Sequence, residues 1–367
     1  MSNEFKLPSM SALAGSTYSN FKRVIEGKEI EKQYQKRLNG SGIVTRFIEP
    51  ISKYEQAKNH KRLQEVTFDK APLFILGHWR SGTTHLHNLM CQDQQFGYVT
   101  TYQGVFPNAL LSGQWLFKSF MQLAMPKKRA TDNVELSVNY PQEEEFGLGN
   151  MCPHSYYNFW YFPQHMQEYA KKYLLFEDLT DREYQEWQNT YDTMVRKAMI
   201  NTNGERFISK NPPHTSRIKE LLALYPNAKF IHIARNPYTV FESTIKFFMA
   251  TIEPLKFQDI SREQMEENIL RIYVQMYEKY EREKALIPEG NLMEIRFEDL
   301  EQDNLGMLEK IYQQLDLGNF EESRPAFEAY IKEKSGYKKN AYKYQENTIQ
   351  KVQAYWKDSF EKWGYEL

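Results

Sequence analysis

The sequence of 367 residues is poor in cysteine and in net charge, and it has no long apolar run. Its two cysteines, Cys91 and Cys152, are too few for a disulfide framework. The net charge of −1 argues against a broad basic surface for nucleic acid. No apolar run approaches the roughly 18 residues of a membrane span, and the N-terminus lacks the pattern of a signal peptide. These absences predict a soluble protein of the reducing cytoplasm, with no membrane span and no nucleic-acid partner.

Metal-ligand patterns are also lacking. The eight histidines and two cysteines do not form a familiar set of ligands. His85 and His87 are separated by one residue, so on a helix their side chains point to different sides. We therefore expect no metal.

A glycine-rich segment follows the first clear apolar run of the chain. Leu73–Leu76 is apolar, Gly77–Thr84 reads GHWRSGTT, and Leu86, Leu89 and Met90 then have helical spacing. This is the order of a strand, a glycine loop and a helix N-terminus, whose backbone N–H groups together form an anion site. The segment predicts binding of a phosphorylated ligand.

The glycine loop lacks the lysine of the nucleotide triphosphatases. Gly77 and Gly82 have the spacing of G-x-x-x-x-G-K-[ST], but Thr83 stands where the lysine belongs. The positive charge is Arg80, inside the loop. A kinase that cradles phosphates with Mg²⁺ is therefore an alternative that the loop does not favour. An ordinary glycine turn between strand and helix is the structural alternative.

A second strand-to-helix segment carries another arginine. Phe230–Ile233 is a short apolar run, and Arg235 then precedes Pro237, a residue suited to the first turn of a helix. Ser243 lies eight residues after Arg235. The guanidinium fork and the serine hydroxyl can bind one phosphate together. Without the first loop, this segment would be no more than a common turn.

The two segments, in this order, resemble the sulfotransferases that use 3′-phosphoadenylyl sulfate (PAPS), in particular the bacterial type with a P-loop-like fold. The resemblance implies that the glycine loop holds the 5′-phosphosulfate and that Arg235 and Ser243 hold the 3′-phosphate. The loop residues to which it gives this role are Gly77, His78, Arg80, Ser81, Gly82, Thr83 and Thr84. PAPS would be the co-substrate, adenosine 3′,5′-bisphosphate the product, and no metal would take part.

A basic and aromatic segment near the C-terminus is similar to one that closes over the nucleotide in related enzymes. The resemblance gives this role to Lys338, Lys339 and Tyr342. A solvated linker before the last helix is an equal interpretation of the same residues.

The resemblance also implies which groups take part in the transfer. Lys210 ends a short predicted strand that begins at Phe207, and with Arg80 it would balance charge on the leaving bisphosphate. The base is left open. Glu143 stands three residues before Phe146, the spacing of the base in glycan-type relatives, and failing it the base would be Glu145 or His214. The bases of two other types do not transfer, because the matching positions are Pro212 and Thr101.

Alternating strands and helices predict an α/β fold with a central parallel sheet, helices on both faces, and helical N- and C-terminal additions. We expect a helical N-terminal extension at 1–66 and a single sulfotransferase domain at 67–367. An acceptor-pocket insertion would occupy about 101–170.

The predicted function is transfer of a sulfuryl group to an acceptor hydroxyl. Two aromatic and Met-rich blocks, Gln103–Met125 and Tyr156–Phe162, favour an apolar acceptor such as a sterol-like or lipid alcohol over a charged glycan. Ordinary core is the alternative use of these blocks. A non-catalytic nucleotide-binding protein of the same fold stays open, and so does a homodimer.

Overall fold

Among the described residues, five short parallel strands form a sheet at the centre of the fold, in the order β2-β3-β1-β4-β5. The structure is a computed structural model, and it describes residues 10–124, 137–334 and 344–367. The strands are β1 Leu73–Leu76, β2 Phe96–Gly97, β3 Arg206–Lys210, β4 Lys229–Ala234 and β5 Leu292–Arg296.

Fifteen α-helices surround this sheet in the described residues. They are α1 Tyr18–Ile25, α2 Gln35–Gln64, α3 Thr83–Met90, α4 Thr101–Val105, α5 Gln114–Ala124, α6 Glu144–Met151, α7 Met166–Tyr169, α8 Asp181–Thr202, α9 Ile218–Leu224, α10 Pro237–Ile252, α11 Arg262–Glu283, α12 Phe297–Gln302, α13 Asn304–Gln314, α14 Phe320–Lys334 and α15 Glu346–Trp363. Short 3₁₀ turns lie at Ala12–Gly15, Lys32–Tyr34, Pro107–Ala109, Tyr156–Trp160, Pro163–His165, Pro212–Ser216 and Lys284–Leu286, and a π turn at Ala170–Leu174. Every helix among the described residues is too short or too polar to cross a bilayer.

Both faces of the sheet are buried, because successive side chains of a strand point to opposite sides. Leu73 and Ile75 of β1 pack in one cluster with residues of α3, α13 and α14. Phe74 and Leu76 pack in another with residues of α8 and α9. Apolar side chains on both faces are what a parallel sheet covered by helices requires. The predicted α/β fold, with helices on both faces of a parallel sheet, is confirmed.

The N-terminal helices belong to the same body as the later part of the chain. Phe21 and Val24 of α1 and Leu38 of α2 lie in one apolar cluster with residues of α10, α11 and α15. The aromatic block Tyr156–Phe162 lies in that cluster too, and it is buried. Most of this block is therefore core, the alternative use that its composition left open. The division of the chain at residues 66 and 67, and the insertion at 101–170, stay predictions.

Candidate functional site

The C-terminal ends of β1, β3 and β4 lie side by side, because the three strands are parallel neighbours. Ile75 of β1 pairs with Lys210 of β3, and Leu76 pairs with His232 of β4. The glycine loop after β1, Lys210 at the end of β3 and Arg235 after β4 therefore meet at one edge of the sheet. This edge is where ligands bind in open α/β sheets.

The glycine loop is held in its shape by backbone contacts. The N–H of Gly77 donates to the Thr215 hydroxyl at 2.8 Å, and both the N–H and the hydroxyl of Ser81 donate to the His78 carbonyl. Gly82 caps α3 with φ of 99°, and an added Cβ there would lie 2.1 Å from the Phe297 ring. Only glycine fits that position, so the loop leads directly into the N-terminus of α3 with Thr83 and Thr84 in its first turn.

Arg80 joins the two segments that the sequence singled out. Its Nε donates to the Ser243 hydroxyl of α10 at 2.8 Å, and its carbonyl accepts from Nη1 of Arg235 at 3.3 Å. The backbone of Arg80 has φ of 67°, a left-handed conformation that residues with a side chain rarely adopt. Arg80, Arg235 and Ser243 thus form one cluster beside the loop, with two guanidinium groups suited to phosphate.

The carboxylate of Glu143 meets Lys210 at the same edge of the sheet. Nζ of Lys210 lies 2.5 Å from one oxygen of Glu143, and the Tyr157 hydroxyl donates to the other. The hydroxyl of Tyr157 in turn accepts from the indole N–H of Trp79, in the loop, at 2.8 Å. Burial and the nearby Glu143 carboxylate raise the pKa of Tyr157 well above its usual value, so this hydroxyl keeps its proton. The chain Trp79–Tyr157–Glu143–Lys210 connects the loop to the end of β3.

Sequence reasoning did not single out Tyr157, which contacts Glu143, or Trp79, which contacts Tyr157. Tyr157 was counted only within an aromatic block, and Trp79 only as a residue of the loop. No local pattern marks a tyrosine that contacts a carboxylate 14 residues away. The position of Trp79 between Gly77 and Arg80 was the one available signal.

The other two candidate bases are placed differently from Glu143. Glu145 is fully buried and binds Arg217 through both oxygens at 2.7 and 2.9 Å, while Asn211 and the Tyr156 N–H also donate to it. Burial alone would raise the pKa of Glu145, but Arg217 and the hydrogen bonds outweigh it, so the pKa is lowered. This carboxylate is occupied by structural contacts.

His214 is buried as well, and its ring lies between aromatic side chains. Its Nε2 lies 2.9 Å from the Tyr191 hydroxyl, and its ring packs edge-on against Phe74. Burial, with a smaller effect from Arg217, lowers the pKa of His214 well below its usual value. His78 in the loop has a similar environment against Tyr273 and Trp356, and burial lowers its pKa to about 3. Neither ring faces the edge of the sheet as a charged group.

Glu144 sits between the two neighbouring carboxylates in sequence but differs from both. Neither of its oxygens has a hydrogen-bond partner among the residues that the structure describes. Burial raises the pKa of Glu144 to about 8, so this carboxyl is neutral at neutral pH. Three successive glutamates therefore have three different states, because α6 turns them toward different surroundings.

Half-buried aromatic rings stand beside the carboxylate and the loop arginine. Phe146 packs against Tyr157 with ring centroids 4.7 Å apart, and the Arg80 guanidinium lies 5.5 Å from the centre of the Phe247 ring. Both rings also contact Trp160. They form an apolar wall beside Glu143 and Arg80.

The predicted nucleotide-closing residues and the expectation about a metal complete the comparison with the sequence. Lys338, Lys339 and Tyr342 lie outside the described residues. Within 10–124, 137–334 and 344–367, no three His, Cys, Asp or Glu side chains stand close enough together to hold a metal ion.

Comparison with known proteins shows which sequences this chain resembles. Residues 72–322 match the family described as the sulfotransferase family. The omega-hydroxy-beta-dihydromenaquinone-9 sulfotransferases Stf3 of Mycobacterium bovis and Mycobacterium tuberculosis are each 34% identical over 306 residues, which is 83% of this chain and 78% of theirs.

Solved structures share the fold at lower identity. Sulfotransferase STF9 from Mycobacterium avium has a TM-score of 0.70 and 15% identity, covering 96% of this chain and 98% of its own. Sulfotransferase STF1 from Mycobacterium tuberculosis has a TM-score of 0.64 and 18% identity, covering 86% and 88%. At these identities the two structures show a shared fold.

Proposed function

The chain belongs to the sulfotransferase family and is a sulfotransferase, and from that premise we propose that it transfers the sulfuryl group of PAPS to an apolar, lipid-like alcohol. The observation that carries the proposal is the contact of Glu143 with Lys210, at the edge of the sheet where the Arg80 cluster and the glycine loop also lie. Glu143 would be the base, and it would stand beside the cations that stabilise a bisphosphate leaving group. The kinase alternative is not favoured, since the family match is to sulfotransferases.

The glycine loop and the arginine cluster fit the two phosphates of PAPS. The loop amides and the N-terminus of α3 would bind the 5′-phosphosulfate, through Gly77, His78, Ser81, Gly82, Thr83 and Thr84. Arg235 and Ser243 would bind the 3′-phosphate, and Arg80, which contacts both, stands between the two sites. A Cβ at Gly77 would lie 2.6 Å from the Ile233 carbonyl, so the backbone of the loop passes close to β4 at a position that only glycine can occupy.

The reaction would proceed as a direct in-line transfer. The acceptor oxygen bonds to sulfur while the bond from sulfur to the bridging phosphate oxygen breaks. The hydroxyl proton passes to Glu143, and the leaving group departs as adenosine 3′,5′-bisphosphate. Lys210 and Arg80 would stabilise the charge that develops on the leaving phosphate. Tyr157 and Trp79 would hold the Glu143 carboxylate in place.

The acceptor class is supported by the wall of half-buried rings and by the sequence similarity to the Stf3 proteins. Phe146 and Phe247 flank the Glu143 and Arg80 side chains without adding a charge. The Stf3 relatives are named for an omega-hydroxy menaquinone, an alcohol on an apolar chain. A cytoplasmic location is part of the same proposal, because both cysteines are free thiols in the structure.

A transfer assay with ³⁵S-labelled PAPS tests the proposed function. We expect label to appear on detergent-dispersed primary alcohols of isoprenoid or sterol type, and much less on simple phenols or sugars. Label on sugars alone would contradict the acceptor class. Binding of adenosine 3′,5′-bisphosphate with no transfer to any acceptor would favour a non-catalytic role.

Replacing Arg80 by alanine should weaken the binding of adenosine 3′,5′-bisphosphate about 10- to 100-fold, because a hydrogen bond to a charged group contributes roughly 1.5–3 kcal/mol. Alanine keeps a Cβ, so the demand on the backbone at φ of 67° is unchanged. Isothermal titration calorimetry measures the affinity. Arg271→Ala, which removes an exposed arginine paired with Glu267 on α11, is the control and should bind as the native protein does. An unchanged affinity in Arg80→Ala would remove Arg80 from the nucleotide site.

A further inference from the structure

Helix α2 presents an exposed apolar stripe that no described part of the chain covers. Ile43, Phe47 and Tyr54 have 56, 68 and 58% of their surface exposed, and Pro50 between them is exposed too. Their spacing of four, three and four residues places them on one side of the helix. Four apolar or aromatic residues in a line on the surface of a helix are typical of an interaction surface.

The opposite side of α2 fixes the helix firmly to the rest of the molecule. Its buried residues include Leu38, Thr45, Ile48 and Glu55, which recur at helical spacing. Glu55 is completely buried and pairs with Lys197 of α8 at 2.6 Å. Because this side is anchored by packing and by a buried ion pair, the exposed stripe is not needed to hold the helix in place.

Helix α5 extends the same apolar surface. Trp115 is 76% exposed, the largest value among the exposed apolar side chains of the described residues. It lines an open groove of 340 Å³ together with Pro50, Ile51 and Tyr54 of α2. We call Ile43, Phe47, Pro50, Tyr54 and Trp115 the α2–α5 face.

Cations border the α2–α5 face. Helix α2 has seven Lys or Arg residues against two Glu, although the whole chain has a net charge of −1. At about 100° per residue, Arg46 and Lys53 lie on one side of the stripe, and Lys58 and Arg62 on the other. All four are exposed, whereas Glu49 is half-buried and Glu55 is buried. An apolar stripe between two rows of cations is the pattern of a helix that lies in the interface of a membrane.

We infer that the α2–α5 face is a peripheral binding surface for anionic lipid bilayers. Trp115, Phe47 and Ile43 would enter the headgroup region, and the bordering cations would meet lipid phosphates. A second copy of the chain fits this surface less well. In a two-fold contact, the same patch meets itself, so the rows of cations would oppose each other.

The α2–α5 face is connected to the site through α4. Phe117 of α5 packs on Phe106 at the end of α4, with ring centroids 5.1 Å apart. Gly104 of α4 lies against Gln142 and the Glu143 carbonyl. A bilayer bound here would bring lipid alcohols close to α4, the helix that packs on Gln142 and Glu143. That use rests on the proposed function, whereas the binding itself does not.

Cosedimentation of the full chain with vesicles tests the inference. We expect binding to phosphatidylcholine vesicles that contain phosphatidylglycerol, weaker binding to phosphatidylcholine alone, and a decrease as ionic strength rises. Lys53→Gln should weaken binding about fivefold, since one cation near an anionic surface is worth ~1 kcal/mol. Lys357→Gln is a matched control, because Lys53 and Lys357 are both exposed and each pairs with a glutamate four residues away at 3.4 Å. It should have no effect.

The apolar contribution has its own pair of variants. Phe47→Ser should weaken vesicle binding about tenfold or more, because burial of a phenyl ring contributes roughly 1.5–3 kcal/mol. Leu286→Ser, at an exposed leucine of the turn before β5, should leave binding unchanged. Among the six tryptophans, only Trp115 is strongly exposed, so a blue shift of fluorescence with vesicles should disappear in Trp115→Phe while binding persists.

Three results would overturn the inference. The first is no binding to anionic vesicles, and the second is an equal loss of vesicle binding in the control variants. The third is a dimer of the native chain, detected by sedimentation velocity, that the change Phe47→Ser dissociates. The last would make the face a contact between copies. Transfer of the sulfuryl group to a detergent-dispersed acceptor should be unaffected by Phe47→Ser. Failure of vesicle binding can therefore be distinguished from failure of the proposed function.

Discussion

Replacing Glu143 by glutamine is expected to lower kcat by about 10²- to 10⁴-fold, the range in which a general base contributes to catalysis. Glutamine keeps the shape of the side chain and can still accept from Tyr157, but it cannot take the acceptor proton. The affinity for adenosine 3′,5′-bisphosphate should not fall, because Arg80, Arg235 and Ser243 are untouched and Lys210 keeps its charge when it loses its carboxylate partner. Steady-state transfer of ³⁵S with saturating acceptor measures kcat, and calorimetry measures the affinity.

Glu144→Gln is the matched control for this result. Glu144 is the next residue in the chain and is buried, and its raised pKa of about 8 keeps it neutral at neutral pH. Glutamine therefore replaces a neutral acid of the same shape, and kcat should stay close to the native value. Similar losses in both variants would mean that the region tolerates no change, and a native kcat in Glu143→Gln would remove Glu143 as the base.

Replacing Glu145 by glutamine is expected to lower the free energy of unfolding by roughly 3–5 kcal/mol, the cost of removing one partner from a buried ion pair. The change leaves the Arg217 guanidinium charged and fully buried, without the carboxylate that binds it through both oxygens. Denaturant unfolding measures the loss. Catalysis at low temperature, where the variant stays folded, should fall far less than in Glu143→Gln.

The pH dependence of stability gives a second readout for Glu145. Its folded pKa is lowered below the ordinary value, so the carboxylate contributes stability above the unfolded pKa. That contribution is lost as pH falls through the folded pKa, and Glu145→Gln should lack this part of the acid dependence. Glu361→Gln is the control, since its pair with Lys357 is 62 and 64% exposed and should cost at most about 1 kcal/mol. Equal losses in the two variants would contradict the structural role of Glu145.

The glycine loop was the part of the site that the sequence predicted best, because its conformation depends on residues that are neighbours in the chain. Gly77 and Gly82 are dictated by local conformation, with positive φ at both and no space for a Cβ. Strand β1 and helix α3 were predicted on either side of the loop, and both are present. The edge of the sheet where the site lies also followed, since parallel strands end on the same side.

The three glutamates show where sequence reasoning ended. Spacing to Phe146 selected Glu143, but no spacing tells which of Glu143, Glu144 and Glu145 is ionised or occupied. That depends on Lys210, 67 residues from Glu143, and on Arg217, 72 residues from Glu145. The aromatic block Tyr156–Phe162 was ambiguous for the same reason, because a run of rings has the same composition in a core and in a pocket.

The sequence alone determined the glycine loop between β1 and α3, the parallel sheet and the set of cations at its edge, because turns, strand alternation and helix starts are properties of adjacent residues. The tertiary structure alone decided which carboxylate meets Lys210, which histidines are buried and neutral, and which aromatic rings line the site. Those outcomes depend on burial and on distances between residues far apart in the chain. A pKa or an ion pair follows from such surroundings, and one stretch of sequence does not contain them.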